Sequence, residues 1–312
     1  MLPNHILQEF NHKKIFVTGG TGFFGKSILS YIKRYFLDID TSWTILSRNP
    51  KEFLLNCPEF NNLHNIHFIQ GDVRNFSYKP SYYDWIIHAA TPAITGLPKG
   101  EMHSIIVQGT KHILEFAKQC NANKIIMTSS GAVYGIQPPD LEYIPETFPC
   151  NPITEYGKAK LIAEQMCIDS GAIIPRCFAF VGPYLNKNIH FAIGNFMRDC
   201  LNNKDIIIQG DGTPYRSYLY ADDLVEWLFT LLVLGKNGVA YNVGSQNAIS
   251  IYELAQKVRT TLKVSNQIRI LTPISENKKP ERYVPSTAKI QKELNVKQTV
   301  NLEEAILLSC SL

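Results

Sequence analysis

Tyr156 and Lys160 stand four residues apart in Tyr156-Gly157-Lys158-Ala159-Lys160, a spacing that puts both side chains on one face of a helix. A phenol is a poor proton-transfer group at neutral pH, and a neighbouring ammonium lowers its pKa by stabilising the phenolate. The pair is therefore suited to moving a proton, and the lysine also to holding a ribose. The spacing gains weight from Thr128-Ser129-Ser130-Gly131-Ala132-Val133-Tyr134-Gly135, at the end of an expected strand upstream. A hydroxyl there can hydrogen-bond a substrate oxygen that becomes a carbonyl. Near the start, Gly19-Gly20-Thr21-Gly22-Phe23-Phe24-Gly25 joins an apolar run, Lys14 to Thr18, to a helical pattern from Lys26. A glycine turn between strand and helix lets the backbone approach a pyrophosphate, which the helix N-terminus then meets with free N–H groups. One signature holds a dinucleotide, the other moves a proton, and together they describe a redox site.

Those residues need a scaffold. Short β-rich runs at Trp43 to Leu46, Ile66 to Ile69, Trp85 to His88 and Lys124 to Thr128 alternate with helical stretches, among them Ile105 to Gln119 and Glu155 to Asp169. This rhythm predicts an α/β chain with a Rossmann-type doubly wound parallel sheet. After Pro175 it loosens around Pro183, Gly194, Gly210, Gly212 and Pro214, which points to a smaller C-terminal α/β lobe for the substrate. The division expected is a dinucleotide-binding domain over 1–180, with about 213–245 returning to it, and a substrate lobe from 181–212 and 246–312. The stretch from Ser275 to Ser286 reads as a loop and the tail from Leu302 as a closing helix.

With 312 residues, 45% hydrophobic and 19% charged, the chain can bury a large core. The formal charge of +4 comes from scattered lysines, without the basic blocks of a nucleic-acid or membrane surface. Seven cysteines lack metal-ligand spacing, and their odd number argues against a complete disulfide framework. Neither a metal, a signal segment nor a membrane span is expected, and the location expected is cytoplasmic.

Cofactor choice turns on the end of the second strand. An acid there accepts from a ribose hydroxyl, whereas a base pairs with a 2′-phosphate. The chain has Ser47 and Arg48, which favours NADP(H) and leaves NAD(H) open, since Arg48 can equally cover the adenine or face solvent. Asp72, in Gly71-Asp72-Val73, is placed either to meet the adenine amino group or to cap a helix. His88-Ala89-Ala90 keeps a strand end small where bulk would block the cofactor. His88 and His190, without placed partners, are left out of the catalytic set.

Taken together these motifs resemble the extended short-chain dehydrogenase/reductases, the nucleotide-sugar epimerases, dehydratases and reductases, along nearly the whole chain. Arg176 through Gly182-Pro183 and Gly210-Asp211-Gly212-Thr213-Pro214-Tyr215-Arg216-Ser217-Tyr218 belong to the match. The resemblance implies Ser130 as catalytic hydroxyl, Tyr156 as acid/base and Lys160 as its electrostatic partner. It implies a cofactor held by Gly19, Gly22, Phe23, Phe24, Gly25, Ser47, Arg48, Asp72, Val73, Ala89, Ala90, Thr128, Tyr156 and Lys160. Arg216, and more loosely Arg282, would bind a substrate diphosphate. Ile106 and Ala179 depart from the pattern, standing where many relatives carry asparagine. The helices Ile105 to Gln119 and Glu155 to Asp169 resemble a dimer-forming pair, so a homodimer is expected.

Dehydratases of this kind carry an Asp-Glu pair directly after the catalytic hydroxyl, and decarboxylases keep a glutamate in the same stretch; here those places hold Gly131 and Ala132. Two reactions remain, and Ser47-Arg48 favours the first: reduction by NADPH of a nucleoside-diphosphate 4-keto-6-deoxyhexose, giving a deoxysugar donor for surface polysaccharide. The alternative is a nucleoside-diphosphate-hexose 4-epimerase with tightly bound NAD. A 4,6-dehydratase and a non-catalytic NADP-binding protein stand behind these.

Overall fold

The computed structural model describes residues 1–78, 82–92, 97, 98, 100–188, 191–274 and 279–311; His190 and residues 275–278 of the expected loop lie outside them. After a short helix α1 (Asn4–Gln8), strand β1 (Lys13–Thr18) buries Ile15, Phe16 and Val17 completely. A run buried on both faces belongs in the middle of a parallel sheet. It is flanked there by β2 (Thr41–Ser47) and β4 (Trp85–His88), with Val17 opposite Ile45 on one side and Ile87 on the other. Adding β3 (Ile66–Gln70) and β5 (Lys124–Met127) gives the order β3-β2-β1-β4-β5, all parallel. The order reverses direction between β1 and β4, and in open α/β sheets ligands bind beyond the carboxyl ends of the strands at that point.

The expected strand through Thr128 stops at Met127, because the chain changes partners. The Thr128 N–H donates to the His88 carbonyl, and β6 (Ser129–Ser130) then pairs with β7 (Ile174–Cys177). In turn β7 pairs in parallel with β12 (Ala240–Val243). This handover sets Ser130 beside the sheet's carboxyl edge instead of within a ladder of regular strands.

Helices cover the sheet. They are α2 (Phe23–Tyr35), α3 (Pro50–Asn56), α4 (Glu101–Gln119), α5 (Glu155–Asp169) and α7 (Ala221–Leu234). The sequence pattern locates α5 at its observed bounds, while α4 begins four residues before the expected Ile105. Thr154 caps α5, accepting from the Gly157 N–H at 3.0 Å, a contact worth about 1 kcal/mol. Between α2 and α7, Arg34 makes a two-pronged pair with Asp222 at 2.6 and 2.7 Å. Beneath them Phe10, Phe36, Trp43 and Phe229 form one aromatic cluster.

A second core gathers Val181, Ile193, Phe196, Met197, Leu254, Val258 and Ile306. It lies among α6 (Ala192–Leu201), α8 (Ile251–Thr261), α10 (Leu302–Cys310) and the short pair β9 (Ile206–Ile208) and β14 (Ile268–Ile270). Further two-residue strands complete the chain: β8 (Phe180–Val181) with β11 (Leu219–Tyr220), and β10 (Tyr215–Arg216) between β13 (Ile249–Ser250) and β15 (Arg282–Tyr283). Helix α9 (Ala288–Leu294) returns to the large core through Ile290 and Leu294. Among the described residues no helix is long and apolar enough to cross a membrane.

Candidate active site

The glycine turn closes on the sheet's switch point. Gly19 takes φ +73°, and a Cβ there would lie 2.4 Å from the Ala89 carbonyl oxygen, so only glycine lets β1 and β4 deliver their ends this close. A Cβ on Gly25 would sit 2.1 Å from the Gly20 backbone, which fixes the approach of α2. Gly22 is different, since nothing of the protein lies nearer than 3.6 Å to its missing Cβ. It caps α2 without a side-chain bond, and no acid stands in that helix's first turn. The free N–H groups of Phe23, Phe24 and Gly25 thus face a cradle that a side chain would fill, as a dinucleotide pyrophosphate requires. The rings of Phe23 and Phe24 turn inward, Phe24 packing edge-on against Phe180 at 5.2 Å.

At the strand ends, Ala89 and Ala90 bond back to Thr18 through their N–H groups. Ser47 is buried and Arg48 exposed, without a carboxylate at ion-pair distance among the described residues. Asp72 caps its own turn, accepting from the Arg74 N–H at 2.9 Å and from the Arg74 guanidinium at 2.8 Å. The Arg74 bonds, with Arg48 contributing from farther off, hold the Asp72 carboxyl below its usual range. Val73 packs under α4, where a Cβ on Gly109 would meet it at 2.9 Å.

Helix α5 presents Tyr156 and Lys160 together, with the Lys160 Nζ 6.0 Å from the Tyr156 ring centre. Lys160 is 3% exposed and donates to the Thr128 carbonyl and to the Thr91 hydroxyl, each at 2.7 Å. An ammonium has three protons, so these two bonds among the described residues leave one N–H to donate. Burial pulls the Lys160 pKa down to about 8. Tyr156 moves the other way: burial pushes it up to about 12, opposed by a hydrogen bond with Ser130. The expectation that the lysine depresses the tyrosine is corrected here, because desolvation of the phenolate dominates and Lys160 is turned toward Thr91 and Thr128. His88 is a buried neutral imidazole, driven down to about 3 by burial and then by Lys160, and held between the Thr18 and Thr110 hydroxyls.

Ser130 ends β6 and caps the 3₁₀ turn Gly131–Tyr134, its Oγ accepting from the Ala132 N–H at 3.2 Å. Its placement rests on a buried ion pair one residue back. Ser129 donates to Glu164, and Glu164 pairs with Arg176 at 2.8 Å. Arg176 also donates to the Tyr134 hydroxyl, which in turn donates to Asn242. Glu164 lies one turn beyond Lys160 on α5, so this network ties α5 to β6 and β7.

Arg216 is half-buried; among the described residues its guanidinium donates to its neighbour's carbonyl, at 2.8 Å, and passes 6.0 Å from the Tyr283 ring centre. Arg282 goes elsewhere. The β10–β15 register sets Tyr215 opposite Arg282 and Arg216 opposite Tyr283. Successive side chains of a strand take opposite faces. Arg282 therefore leaves on the face of Tyr215, whose ring it covers at 4.7 Å, and donates to the Glu142 carbonyl. The residue carried to Ser130 is Tyr283, whose hydroxyl reaches the serine segment, 2.7 Å from where a Gly131 Cβ would stand, and whose ring is tilted against that of Phe178 at 4.7 Å. Sequence reading missed both Tyr283 and Thr91. A signal for Tyr283 existed in its adjacency to Arg282, but choosing between two neighbours requires the strand register.

A family model described as NAD dependent epimerase/dehydratase family matches residues 15–244. UDP-glucuronic acid decarboxylase 1 of Xenopus tropicalis is 26% identical over 327 residues, spanning 97% of this chain and 73% of that protein. UDP-glucuronic acid 4-epimerase of Bacillus cereus, solved with UDP-glucuronic acid and NAD, superposes with a TM-score of 0.82 at 22% identity, covering 95% of this chain and 98% of that one. RMD of Pseudomonas aeruginosa, complexed with NADPH, gives 0.76 at 23% identity over 96% and 98% of the two chains.

Proposed function

The chain belongs to the NAD dependent epimerase/dehydratase family, and on that premise we propose that it reduces the 4-keto group of a nucleoside-diphosphate 4-keto-6-deoxyhexose with NADPH. The observation that carries this reading is the pairing of an intact Ser130, Tyr156 and Lys160 with no acid or base after the serine. Gly131 and Ala132 cannot drive elimination or assist decarboxylation. Nor is there room for a replacement, since a Cβ at residue 131 would lie 2.7 Å from both the Tyr283 hydroxyl and the Phe178 ring. Chemistry at C4 is what this site retains.

Bound over the glycine turn, a reduced nicotinamide would supply the hydride to the sugar's C4. Lys160 spends its third N–H on the ribose, and the α2 N-terminus takes the pyrophosphate. Ser130 donates a hydrogen bond to the C4 oxygen and polarises the carbonyl. As the new C–H bond forms, the carbonyl π pair moves onto that oxygen, which takes the Tyr156 proton. The Tyr156 phenolate is reprotonated from solvent. A phenol with a raised pKa is fully protonated at neutral pH, as the acid in a reduction must be. Arg216, with donors to spare, is the group to grip the substrate diphosphate.

Arg48, exposed at the end of β2 and without a carboxylate at ion-pair distance among the described residues, supports NADPH. A second reading, a 4-epimerase with tightly bound NAD, uses the same three side chains, and the likeness to UDP-glucuronic acid 4-epimerase favours it. The deciding assay mixes purified protein and NADPH with a panel of nucleoside-diphosphate 4-keto-6-deoxyhexoses, with NADH in parallel, and identifies products by NMR. Net NADPH oxidation with a new 4-hydroxy sugar establishes the reductase. No oxidation, with interconversion of unreduced nucleotide hexoses, replaces it with the epimerase. A homodimer through α4 and α5 belongs to the same proposal, supported by exposed Ile162 and Ile168 on α5; sedimentation showing only monomer would remove it.

A further inference from the structure

Gln137 has no part in the proposed reaction, yet it is 2% exposed between two surface residues, Ile136 and Pro138. It follows closely on the 3₁₀ turn Gly131–Tyr134 that Ser130 caps. Both protons of its carboxamide are used, donated to the Leu141 and Glu142 carbonyls at 2.7 and 3.1 Å, and its Oε1 accepts from the Val284 N–H at 2.9 Å. The Gln137 backbone bridges antiparallel to Arg282, and the Glu142 carbonyl it holds also accepts from the Arg282 guanidinium at 3.3 Å. Gln137 thus grips the residues on both sides of Tyr283. Ile144 repeats the hold, its N–H donating to the Val284 carbonyl at 2.9 Å and its carbonyl accepting from the Ser286 N–H at 2.8 Å.

Along its other edge β15 pairs with β10, where Arg216 stands opposite Tyr283 and the Tyr215 N–H donates to the Glu281 carbonyl at 2.7 Å. A ladder of two residues is marginal by itself, so β15 takes its place from the segment that runs on from the serine turn. We propose that Gln137 is a positioning residue that sets, through β15, the separation between Arg216 and Ser130, and with it the span a nucleoside-diphosphate sugar bridges from diphosphate to C4. The proposal rests on the reading of Arg216 as the group that grips the diphosphate. An apolar side chain at 137 leaves one buried N–H and two carbonyls without their partner, and the strap shifts to satisfy them. Tyr283 and Arg216 shift with it, and an arginine moved by about 1 Å no longer meets its anion with two parallel bonds. The cradle for the cofactor pyrophosphate rests on β1, β4 and α2 instead.

The test is Gln137→Met in the full chain, with UDP, dTDP and GDP as calorimetric probes and NADPH alongside. Expected is about tenfold weaker binding of the nucleoside diphosphate that the wild type holds best, with the NADPH Kd within about twofold of wild type. Arg216→Ala should weaken the same probe by about 10–100-fold. Adding Gln137→Met to it should cost less than about twofold more, because a residue acting through Arg216 has nothing left to place. Unchanged probe affinity in Gln137→Met, an equal loss in both backgrounds, a parallel loss of NADPH, or an Arg216→Ala variant that binds the probe as wild type does each overturns the proposal. So does a wild type that binds none of the three probes. Should Gln137→Met not fold, Gln137→Asn takes its place, since a carboxamide one methylene shorter cannot reach Val284 and both carbonyls together, and the same constants decide. A wild type that binds a nucleoside diphosphate but turns over no nucleotide sugar ends the proposed reduction and leaves these constants to judge Gln137.

Discussion

Replacing Lys160 by methionine should make the protein more stable while nearly abolishing turnover. The side chain is 3% exposed, and burial lowers its pKa from 10.5 to about 8. At about 1.4 kcal/mol per unit, keeping that ammonium charged in the folded state costs roughly 3 kcal/mol. Methionine removes the cost and fills a similar volume, but gives up the bonds to Thr91 and Thr128, at about 1 kcal/mol each. The remainder, about 1–2 kcal/mol, corresponds to a Tm rise of about 2–8 °C. Below pH 8 the folded protein carries the charge and the whole penalty. Between about 8 and 10.5 the unfolded chain holds a proton that the folded one has released, so wild-type stability from this group rises with pH. The advantage of Lys160→Met is therefore full at pH 7 and shrinks steadily toward pH 10.5. Thermal denaturation of both proteins across pH 6.5–10.5 reads this directly. A methionine variant that is less stable at pH 7, or whose advantage does not shrink through that window, refutes the account of Lys160 as a strained buried charge kept for chemistry.

Tyr156→Phe should bind NADPH as wild type does, by fluorescence titration, yet lose turnover by about 10²–10⁴-fold; retained turnover would assign the proton to another group. Arg48→Ala should weaken NADPH by about 10–100-fold and leave NADH unchanged, as expected for a charge-assisted contact worth about 1.5–3 kcal/mol, and equal effects on both cofactors would place Arg48 away from a 2′-phosphate. Glu164→Gln keeps the shape but strands the Arg176 charge, so chemical denaturation should show a loss of about 3–5 kcal/mol. A loss under 1 kcal/mol would mean that water reaches the pair.

The chain announces what is local. Strand β1, the glycine turn and α2 follow one another without a break, so their chemistry is legible in consecutive residues. Tyr156 and Lys160 share a helix, whose period alone brings them to one face. Gly131 and Ala132 show at a glance that the carboxylates of an elimination are missing. Nothing in these readings depends on a distant partner.

Contacts between segments far apart in sequence were decided by the tertiary structure. Thr91 meets Lys160, and Tyr283 rather than Arg282 meets Ser130, because a two-residue strand has no periodicity of its own and takes its facing from the register with Arg216. The direction of the Tyr156 and Lys160 pKa shifts belongs here as well. Sequence spacing counts the charges nearby, but desolvation depends on everything packed around a group, and it is the largest cause of both shifts.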